Sequence, residues 1–200
     1  LEAFARKFPR KVEFIYALGV IAQRAGEISI ARPALQKANE LSPNNFRILY
    51  EMGVMERVAG NIERSQELIG QSLALNGAQP AALRTYGNDY TYAYGDPIFT
   101  RLNVAAARLA ESSPLEQIHL HYALAKAFDD VNELDTAYQH YGVGGAKKRK
   151  LEPYNERNSA RVFQILPQVV TAQALAASNQ HGCDSELPVF ILGMPRSGTS

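Results

Sequence analysis

The residues best suited to chemistry lie at the C-terminal end of the chain, where a short apolar run leads into a glycine-rich turn. Val189 to Leu192 predict a buried strand, and the residues that follow are Gly193-Met-Pro-Arg-Ser-Gly198-Thr-Ser200. A strand that ends in such a turn presents backbone N–H groups to a phosphate group. We therefore predict an anion-binding loop at this end of the sequence.

Two positions in this loop bear on which phosphate compound it would hold. Gly193 and Gly198 have the spacing of the loop that binds nucleoside triphosphates, but Thr199 stands where those proteins have a lysine. Because that lysine reaches the β- and γ-phosphates, its replacement argues against hydrolysis of ATP or GTP. Arg196 keeps one positive charge in the loop. A nucleotide whose 5′ end carries only one phosphate and one sulfate would need a smaller cradle than a triphosphate does.

The composition is that of an ordinary globular protein and argues against several partners. The 200 residues carry a formal net charge of +1 and are 46% hydrophobic, so bulk charge gives no reason to expect a nucleic-acid partner. No apolar stretch approaches the roughly 18–20 residues that span a bilayer. The single cysteine and the four histidines show no zinc-ligand spacing, so we expect no metal. We expect a cytoplasmic protein without a membrane segment.

A spacing of 34 residues organises most of the chain. Gly19, Gly53 and Gly87 are 34 residues apart, and Pro9 and Pro43 share that interval. Glycine inside a helix costs about 1 kcal/mol relative to alanine. Its recurrence in register therefore predicts that a paired helix approaches these positions too closely for a side chain.

The first repeat predicts two amphipathic helices. Apolar residues three and four positions apart favour helices over 12–25 and 28–41. Gly26 lies between them, where a left-handed C-cap conformation is easy for glycine. In the degenerate third repeat the corresponding turn is Tyr94-Gly95-Asp96-Pro97, and Pro97 is suited to start its second helix.

These features resemble the tetratricopeptide repeat. The residues that carry the resemblance in the first repeat are Ile15, Leu18, Gly19, Ala22, Ala31, Leu35, Ala38 and Pro43. It implies an all-α solenoid of antiparallel helix pairs over 12–151. We assign residues 1–11 to the tail of a preceding repeat. The four repeats that follow cover about 12–45, 46–79, 80–113 and 118–151.

In tetratricopeptide repeats the first helix of each pair lines a groove, and the resemblance implies the same here. The groove residues it predicts are Tyr16, Tyr50 and Tyr122 at one equivalent position, with Arg24, Arg47, Arg57, Arg84 and Asn88 nearby. Such a groove would hold an extended, acidic protein or peptide through charge-assisted hydrogen bonds and stacking. The alternative is that these are ordinary amphipathic side chains over a solvent face.

The segment after the repeats predicts a helical linker over 152–187. Pro153 ends the preceding helix, and 154–180 has a helical pattern that Pro167 interrupts or kinks. The basic run 147–150 is interpreted as a solvated helix end whose cations complement the C-terminal dipole, in preference to a localisation or phosphate-binding cluster.

With the repeats and the linker before it, the loop closely resembles the 5′-phosphosulfate loop of sulfotransferases that use 3′-phosphoadenosine 5′-phosphosulfate (PAPS). Its PRSGT portion is similar to that of tyrosylprotein sulfotransferases, and the whole chain resembles bacterial repeat-containing sulfotransferases. The resemblance implies that 188–200 begin an α/β sulfotransferase domain with its first strand and P-loop-like turn. The residues that it implies contact the cofactor are Arg196, Ser197, Gly198, Thr199 and Ser200.

The resemblance implies an enzyme that transfers a sulfuryl group to a hydroxyl, such as that of a protein tyrosine. Its catalytic base is expected downstream of Ser200, and His119 and His121 are interpreted as surface or packing residues. We therefore expect these 200 residues alone to be inactive. Two alternatives remain: a tetratricopeptide-repeat scaffold for protein–protein interaction without catalysis, and a P-loop kinase-like enzyme, which the missing lysine disfavours.

Overall fold

The structure, a computed structural model, describes residues 7–178, and every regular element within that range is helical. This agrees with the all-α character that the sequence predicts. The strand and loop predicted over 188–200 lie outside the described residues. The α-helices are α1 (Val12–Arg24), α2 (Ile28–Leu41), α3 (Phe46–Val58), α4 (Ile62–Leu75), α5 (Pro80–Asn88), α6 (Pro97–Ala107), α7 (Pro114–Asp130), α8 (Leu134–Leu151), α9 (Glu156–Val169) and α10 (Ala172–Ser178).

Three pairs of consecutive helices form close hairpins. Helix α1 packs on α2, α3 on α4 and α7 on α8, while α2 also contacts α3 so that neighbouring hairpins stack. The predicted bounds of the first pair, 12–25 and 28–41, agree with α1 and α2 to within one residue. Stacking of this kind buries a continuous core and gives the array a solenoid-like character.

The turns inside these hairpins share one geometry. Gly26, Gly60 and Asn132 have φ angles of +79°, +86° and +64°, in the left-handed region. In the first turn the N–H of Glu27 donates to the carbonyl of Ala22 at 2.9 Å, which is the hydrogen bond of a Schellman C-cap. The left-handed C-cap predicted at Gly26 is therefore confirmed, and asparagine, which tolerates this conformation, takes the same role in the last hairpin.

Two of the glycines in register lie where the paired helix comes closest. A Cβ atom on Gly19 would stand 2.7 Å from Cγ of Leu35, and one on Gly53 would stand 2.5 Å from Cγ1 of Ile69. Non-bonded carbon atoms do not approach that closely, because their electron shells repel, and the close-packed interior leaves little spare volume into which the neighbour could move. The packing reason predicted for these two glycines is confirmed.

The third pair is built differently, and the prediction for its glycine is wrong. Helix α5 has nine residues and makes more extensive contact with α7 than with its own partner, α6. The space beside Gly87 is filled by the ring and hydroxyl of Tyr92, which belongs to the segment that follows α5. Because α5 is short, the chain folds back on it before α6 begins. The predicted turn is confirmed, with Gly95 at a φ of +87° and Pro97 opening α6.

Helix α7 begins four residues before the predicted start of the fourth repeat at 118. The reason is a capping box at Ser113, whose Oγ accepts from the N–H of Glu116 at 3.4 Å while the Glu116 carboxylate accepts from the N–H of Ser113 at 2.9 Å. This reciprocal pair satisfies two end groups of the helix and allows it to start at Pro114. The connection from α6 includes a short 3₁₀ turn, Leu109–Glu111.

The core comprises two adjoining groups of buried side chains. They meet in α4, where Leu68 belongs to the first group and Ile69 to the second. The most buried members of the first group are Ala31, Leu35, Ala38, Ile48, Met55 and Leu68. Those of the second are Ile69, Leu73, Ala82, Leu83, Tyr92, Leu102, Leu120, Ala123 and Ala127.

The chain divides into two compact units after Pro153. Helix α8 ends at Leu151, as expected from that proline, and 148–150 supply the basic residues of its last turn, as interpreted from the sequence. In the second unit α9 continues through Pro167 and ends at Val169. The interruption thus comes two residues after the proline, because a proline near a helix end removes a single hydrogen bond and leaves the last turn in place.

Candidate functional site

The predicted cofactor residues 196–200 lie outside the described residues, whereas the predicted groove residues are all described. They lie on α1, α3, α5 and α7, the first helices of the four pairs. We call the surface that they and their polar neighbours form the first-helix face. Its residues are Tyr16, Arg24, Arg47, Tyr50, Glu51, Arg57, Arg84, Thr85, Asn88, Asp89, His119 and Tyr122.

A cleft lies at the N-terminal end of this face. It has a volume of about 350 Å³, and Tyr16 and Arg47 both line it. The start of α3 is fixed by Asn45, whose Oδ1 accepts from the N–H of Arg47 at 3.1 Å. No carboxylate among residues 7–178 lies within ion-pair distance of the Arg47 guanidinium, which stands 5.6 Å from the ring of Phe46. The cleft therefore combines a half-buried tyrosine with an exposed cation. Its other lining residues are Val12, Glu13, Leu41, Ser42 and Ile48.

Burial governs the titration of the next residues along the face. It raises the pKa of the Tyr16 and Tyr50 hydroxyls, so both remain neutral and can donate hydrogen bonds at neutral pH. Burial also raises the pKa of the Glu51 carboxyl, and the charge of Arg24 opposes that shift. The Tyr50 and Thr85 hydroxyl oxygens are 3.4 Å apart and link α3 to α5.

Arg84 is held in place by α7. Its Nη1 atom lies 3.1 Å from Nδ1 of His119, and its guanidinium carbon lies 4.8 Å from the centre of the Tyr122 ring. The second contact is a cation–π interaction, which is worth about 0.5–2 kcal/mol depending on exposure. The structure thus brings the predicted residues Arg84 and Tyr122 together and adds His119, which the sequence interpretation had set aside.

Arg57 differs from the other arginines of the face because it forms an ion pair with a carboxylate. Its Nε and Nη2 atoms donate to the two carboxylate oxygens of Asp89 at 2.5 and 3.1 Å. The hydrogen bond to Asp89 raises the pKa of Arg57, so the pair stays charged. Asn88 is exposed beside this pair. Arg57 therefore connects α3 to the end of α5 and has a structural role.

The sequence interpretation missed the partners of these side chains, although a signal for them exists. Tyr50 and Thr85 are 35 residues apart, as are Arg84 and His119. Both separations are close to the 34-residue repeat, which places polar groups on adjacent first helices. A search for polar pairs about one repeat apart would have found both contacts.

Two searches of the described part of the chain gave negative results. No group of three or more His, Cys, Asp and Glu side chains in residues 7–178 is placed to hold a metal ion. Within the same range, every helix falls short of the length and apolar character needed to cross a membrane.

Comparison with known proteins assigns neither a family nor a function to this chain. No family model matches the chain. An uncharacterized protein of Aquifex aeolicus (strain VF5) is 24% identical over 172 residues, which cover 85% of this chain and 22% of that protein. The chain therefore spans about a fifth of the length of this relative.

Proposed function

We propose that 12–151 form a tetratricopeptide-repeat scaffold that binds an extended, acidic protein segment on the first-helix face. The observation that carries this proposal is a set of three arginines on this face that form no ion pair within 4.0 Å with a carboxylate in the described part of the chain. Arg24, Arg47 and Arg84 make no ion pair within 4.0 Å among residues 7–178, whereas Arg57 and Arg32 are each paired with a carboxylate.

The surroundings of these arginines support a ligand that is both acidic and extended. Tyr16, Tyr50 and Tyr122 lie half-buried on three of the four first helices, α1, α3 and α7, and offer ring surface and hydroxyl groups along the same face. Charge-assisted hydrogen bonds from arginine to carboxylate are about twice as strong as neutral ones. A segment that follows the face would meet an arginine on each of α1, α3 and α5.

The test is a binding measurement with a fluorescent octaglutamate peptide. Replacing Arg24 and Arg47 together by glutamate reverses two charges on the face, and we expect at least about a tenfold loss of affinity, or roughly 1.4 kcal/mol. The matched control is Arg64→Glu, because Arg64 is an exposed residue of α4 that pairs with Glu67 at 2.7 Å. Equal affinity of the double variant and the control would refute the acidic-segment proposal and favour ordinary solvated side chains.

We further propose that this scaffold serves a PAPS-dependent sulfotransferase. The support for this is the sequence of 188–200, in which a predicted strand leads into a glycine-rich loop with threonine in the lysine position. In that reaction the loop amides and Arg196 would stabilise the charge that develops on the bridging oxygen as the sulfuryl group leaves. The acceptor would be a hydroxyl, and a protein tyrosine is the proposed case.

Calorimetry with 3′-phosphoadenosine 5′-phosphate tests this second proposal. The experiment uses the longest natural protein that contains this chain, and we expect saturable binding that Arg196→Ala weakens by tenfold or more, about 1.4 kcal/mol. Arg161→Ala, at an exposed position of α9, is the matched control. A protein that binds octaglutamate but not the nucleotide would be a scaffold without transferase activity.

A further inference from the structure

Arg84 stands at a tyrosine position of the repeat. It follows Tyr50 by 34 residues and precedes Tyr122 by 38, the two offsets that relate successive first helices. The other three first helices carry Tyr16, Tyr50 and Tyr122 at this position. The third pair therefore places a cation in a row of aromatic side chains, and Tyr122 lies against it.

The contact between Arg84 and His119 determines the tautomer of the His119 imidazole. A guanidinium has five N–H donors and no acceptor, so Nδ1 of His119 must accept the hydrogen bond from Nη1 of Arg84. The imidazole is then neutral and carries its single proton on Nε2. Burial lowers the pKa of His119, and the charges of Arg84 and Lys148 lower it further.

The groups that face His119 come from three helices and are mostly cationic. Helix α5 contributes Arg84 and α8 contributes Lys148, while the acidic influence is Glu116 on α7 itself. The Glu116 carboxylate is already engaged, because it accepts hydrogen bonds from the N–H and the hydroxyl of Ser113 at 2.9 and 2.7 Å. Lys148 is in turn paired with Glu152 at 3.8 Å, so neither of these two carboxylates is free to pair with Arg84.

We propose that Arg84 and His119 form a proton-coupled binding site for a carboxylate of a bound protein segment. The carboxylate replaces His119 as the hydrogen-bond acceptor for Arg84. At the same time His119 takes up a proton from solvent and becomes a second donor to that carboxylate. This inference rests on the binding function proposed above and adds its regulation. The direction of the coupling follows from linkage, since a ligand that favours the protonated histidine binds more tightly where protons are abundant.

The described contacts leave room for such a ligand at Arg84. One of the five guanidinium donors is used by His119, and Tyr122 occupies one neighbouring position. By contrast, Arg57 already gives two donors to a carboxylate, that of Asp89, which also balances its charge. In this proposal Arg84 is the cation that selects the carboxylate on the part of the first-helix face formed by α5 and α7. His119 sets the pH range in which Arg84 binds that carboxylate.

The experiment measures octaglutamate affinity between about pH 7.5 and about pH 5.5, and follows the His119 imidazole by NMR in the same samples. We expect affinity to rise several-fold on acidification, because a tenfold preference for the protonated histidine is expressed in full only below the lowered pKa of the free His119 imidazole. Saturating peptide should raise the pH at which His119 titrates. His119→Gln keeps an acceptor for Arg84 but cannot take up the proton, so its affinity should rise much less on acidification than that of the wild type.

Two comparisons separate this inference from the binding function on which it rests. Binding of octaglutamate that depends on Arg24 and Arg47 but has the same pH dependence in the wild type and in His119→Gln would overturn the coupling and leave the scaffold proposal standing. If the wild-type protein binds no octaglutamate at any pH in this range, both the coupling and the scaffold proposal are overturned. Sodium sulfate alone, at matched ionic strength, provides the last arm. If sulfate shifts the His119 titration and octaglutamate does not, the site binds a free anion and the protein-segment source is wrong.

Discussion

The first two helical pairs, 12–75, and the last two, 80–151, share a register but fill it in different ways. In the first region the residue that closes the space beside each glycine in register comes from the paired helix, with Leu35 beside Gly19 and Ile69 beside Gly53. In the second region α5 packs on α7, and a tyrosine from the intervening segment takes that role. A repeat register thus sets which positions are buried, but the neighbour that buries them depends on the length of each helix.

The two regions also differ in their titratable groups. The described histidines, His119, His121 and His140, all lie in the second region. His121 follows Leu83 by 38 residues and so occupies the register of a buried apolar position. It is 6% exposed, and its Nδ1 lies 3.1 Å from Nδ1 of His140. Where the repeat departs from its pattern, polar and aromatic side chains have entered positions that aliphatic ones hold in the first region.

The largest effect is expected from Gly53→Ala. Its new Cβ would stand 2.5 Å from Cγ1 of Ile69 and 3.2 Å from the carbonyl oxygen of Ser65, and a backbone atom cannot move aside cheaply. We expect the free energy of unfolding in urea to fall by about 2 kcal/mol or more, as overpacking commonly causes.

Gly142→Ala is the control for that change. Gly142 also lies inside a helix, α8, but a Cβ there would meet nothing within 4 Å. Alanine should therefore stabilise the protein by up to about 1 kcal/mol through helix propensity alone. A similar response of the two variants would show that close approach of the paired helix does not explain the first-region glycines.

A smaller effect is expected from Gly87→Ala, and it should depend on Tyr92. The new Cβ would meet the hydroxyl end of that side chain, which is buried and has no hydrogen-bond partner among the described residues. We expect a loss of about 1–2 kcal/mol in Gly87→Ala, and a loss of less than about 0.5 kcal/mol when the same change is made in a Tyr92→Phe background.

Tyr92→Phe alone should be neutral or slightly stabilising, because it removes an unsatisfied buried hydroxyl. The double-mutant cycle in urea measures the coupling between the two positions. Additive changes would mean that Tyr92 does not limit the space beside Gly87, and the contrast between the two regions would lose its main support.

Acid should weaken the second region more than the first. Burial lowers the pKa of both His121 and His140, so the folded state binds fewer protons than the unfolded state near the ordinary histidine pKa of about 6.5. Their contribution to stability is therefore present in full above that pH, and it is lost as the pH falls from there through the lower pKa of the folded state. Hydrogen exchange, corrected for intrinsic rates, should show earlier opening of α7 and α8 than of α3 and α4.

His121→Leu is the matched variant, since the register carries Ile15, Leu49 and Leu83 at the same position. It should reduce the difference in acid sensitivity between the two regions. Equal acid sensitivity of the wild type and this variant would assign the effect to other groups.

The smallest effect is expected from Asp89→Asn, which weakens the contact between α3 and the end of α5. The Arg57 side chain is 38% exposed, so solvent screens the pair and the loss should be less than about 1 kcal/mol. Glu67→Gln, which breaks the exposed pair with Arg64, should change the unfolding free energy by close to zero. A loss of several kcal/mol in Asp89→Asn would indicate that this ion pair couples the two regions more strongly than its exposure implies.

Most of the helical framework in residues 7–178 was predictable, because it follows from local pattern. The bounds of α1 and α2, the cap at Gly26 and the start of α6 at Pro97 each depend on residues within a few positions. The early start of α7 was missed, although Ser113 and Glu116 have capping-box spacing. The candidate site was predictable in its members but not in its pairings, since those depend on contacts between helices about one repeat apart.

The sequence alone determined the 34-residue register, the positions of the glycines and the row of tyrosines, because each is a matter of spacing along the chain. The tertiary structure decided which neighbour fills each space. It placed Tyr92 beside Gly87, gave Arg57 to Asp89 and left Arg84 with His119 as its acceptor. The physical reason is that hydrogen bonds and steric contacts depend on distances between helices, and the short α5 changes those distances without altering the register.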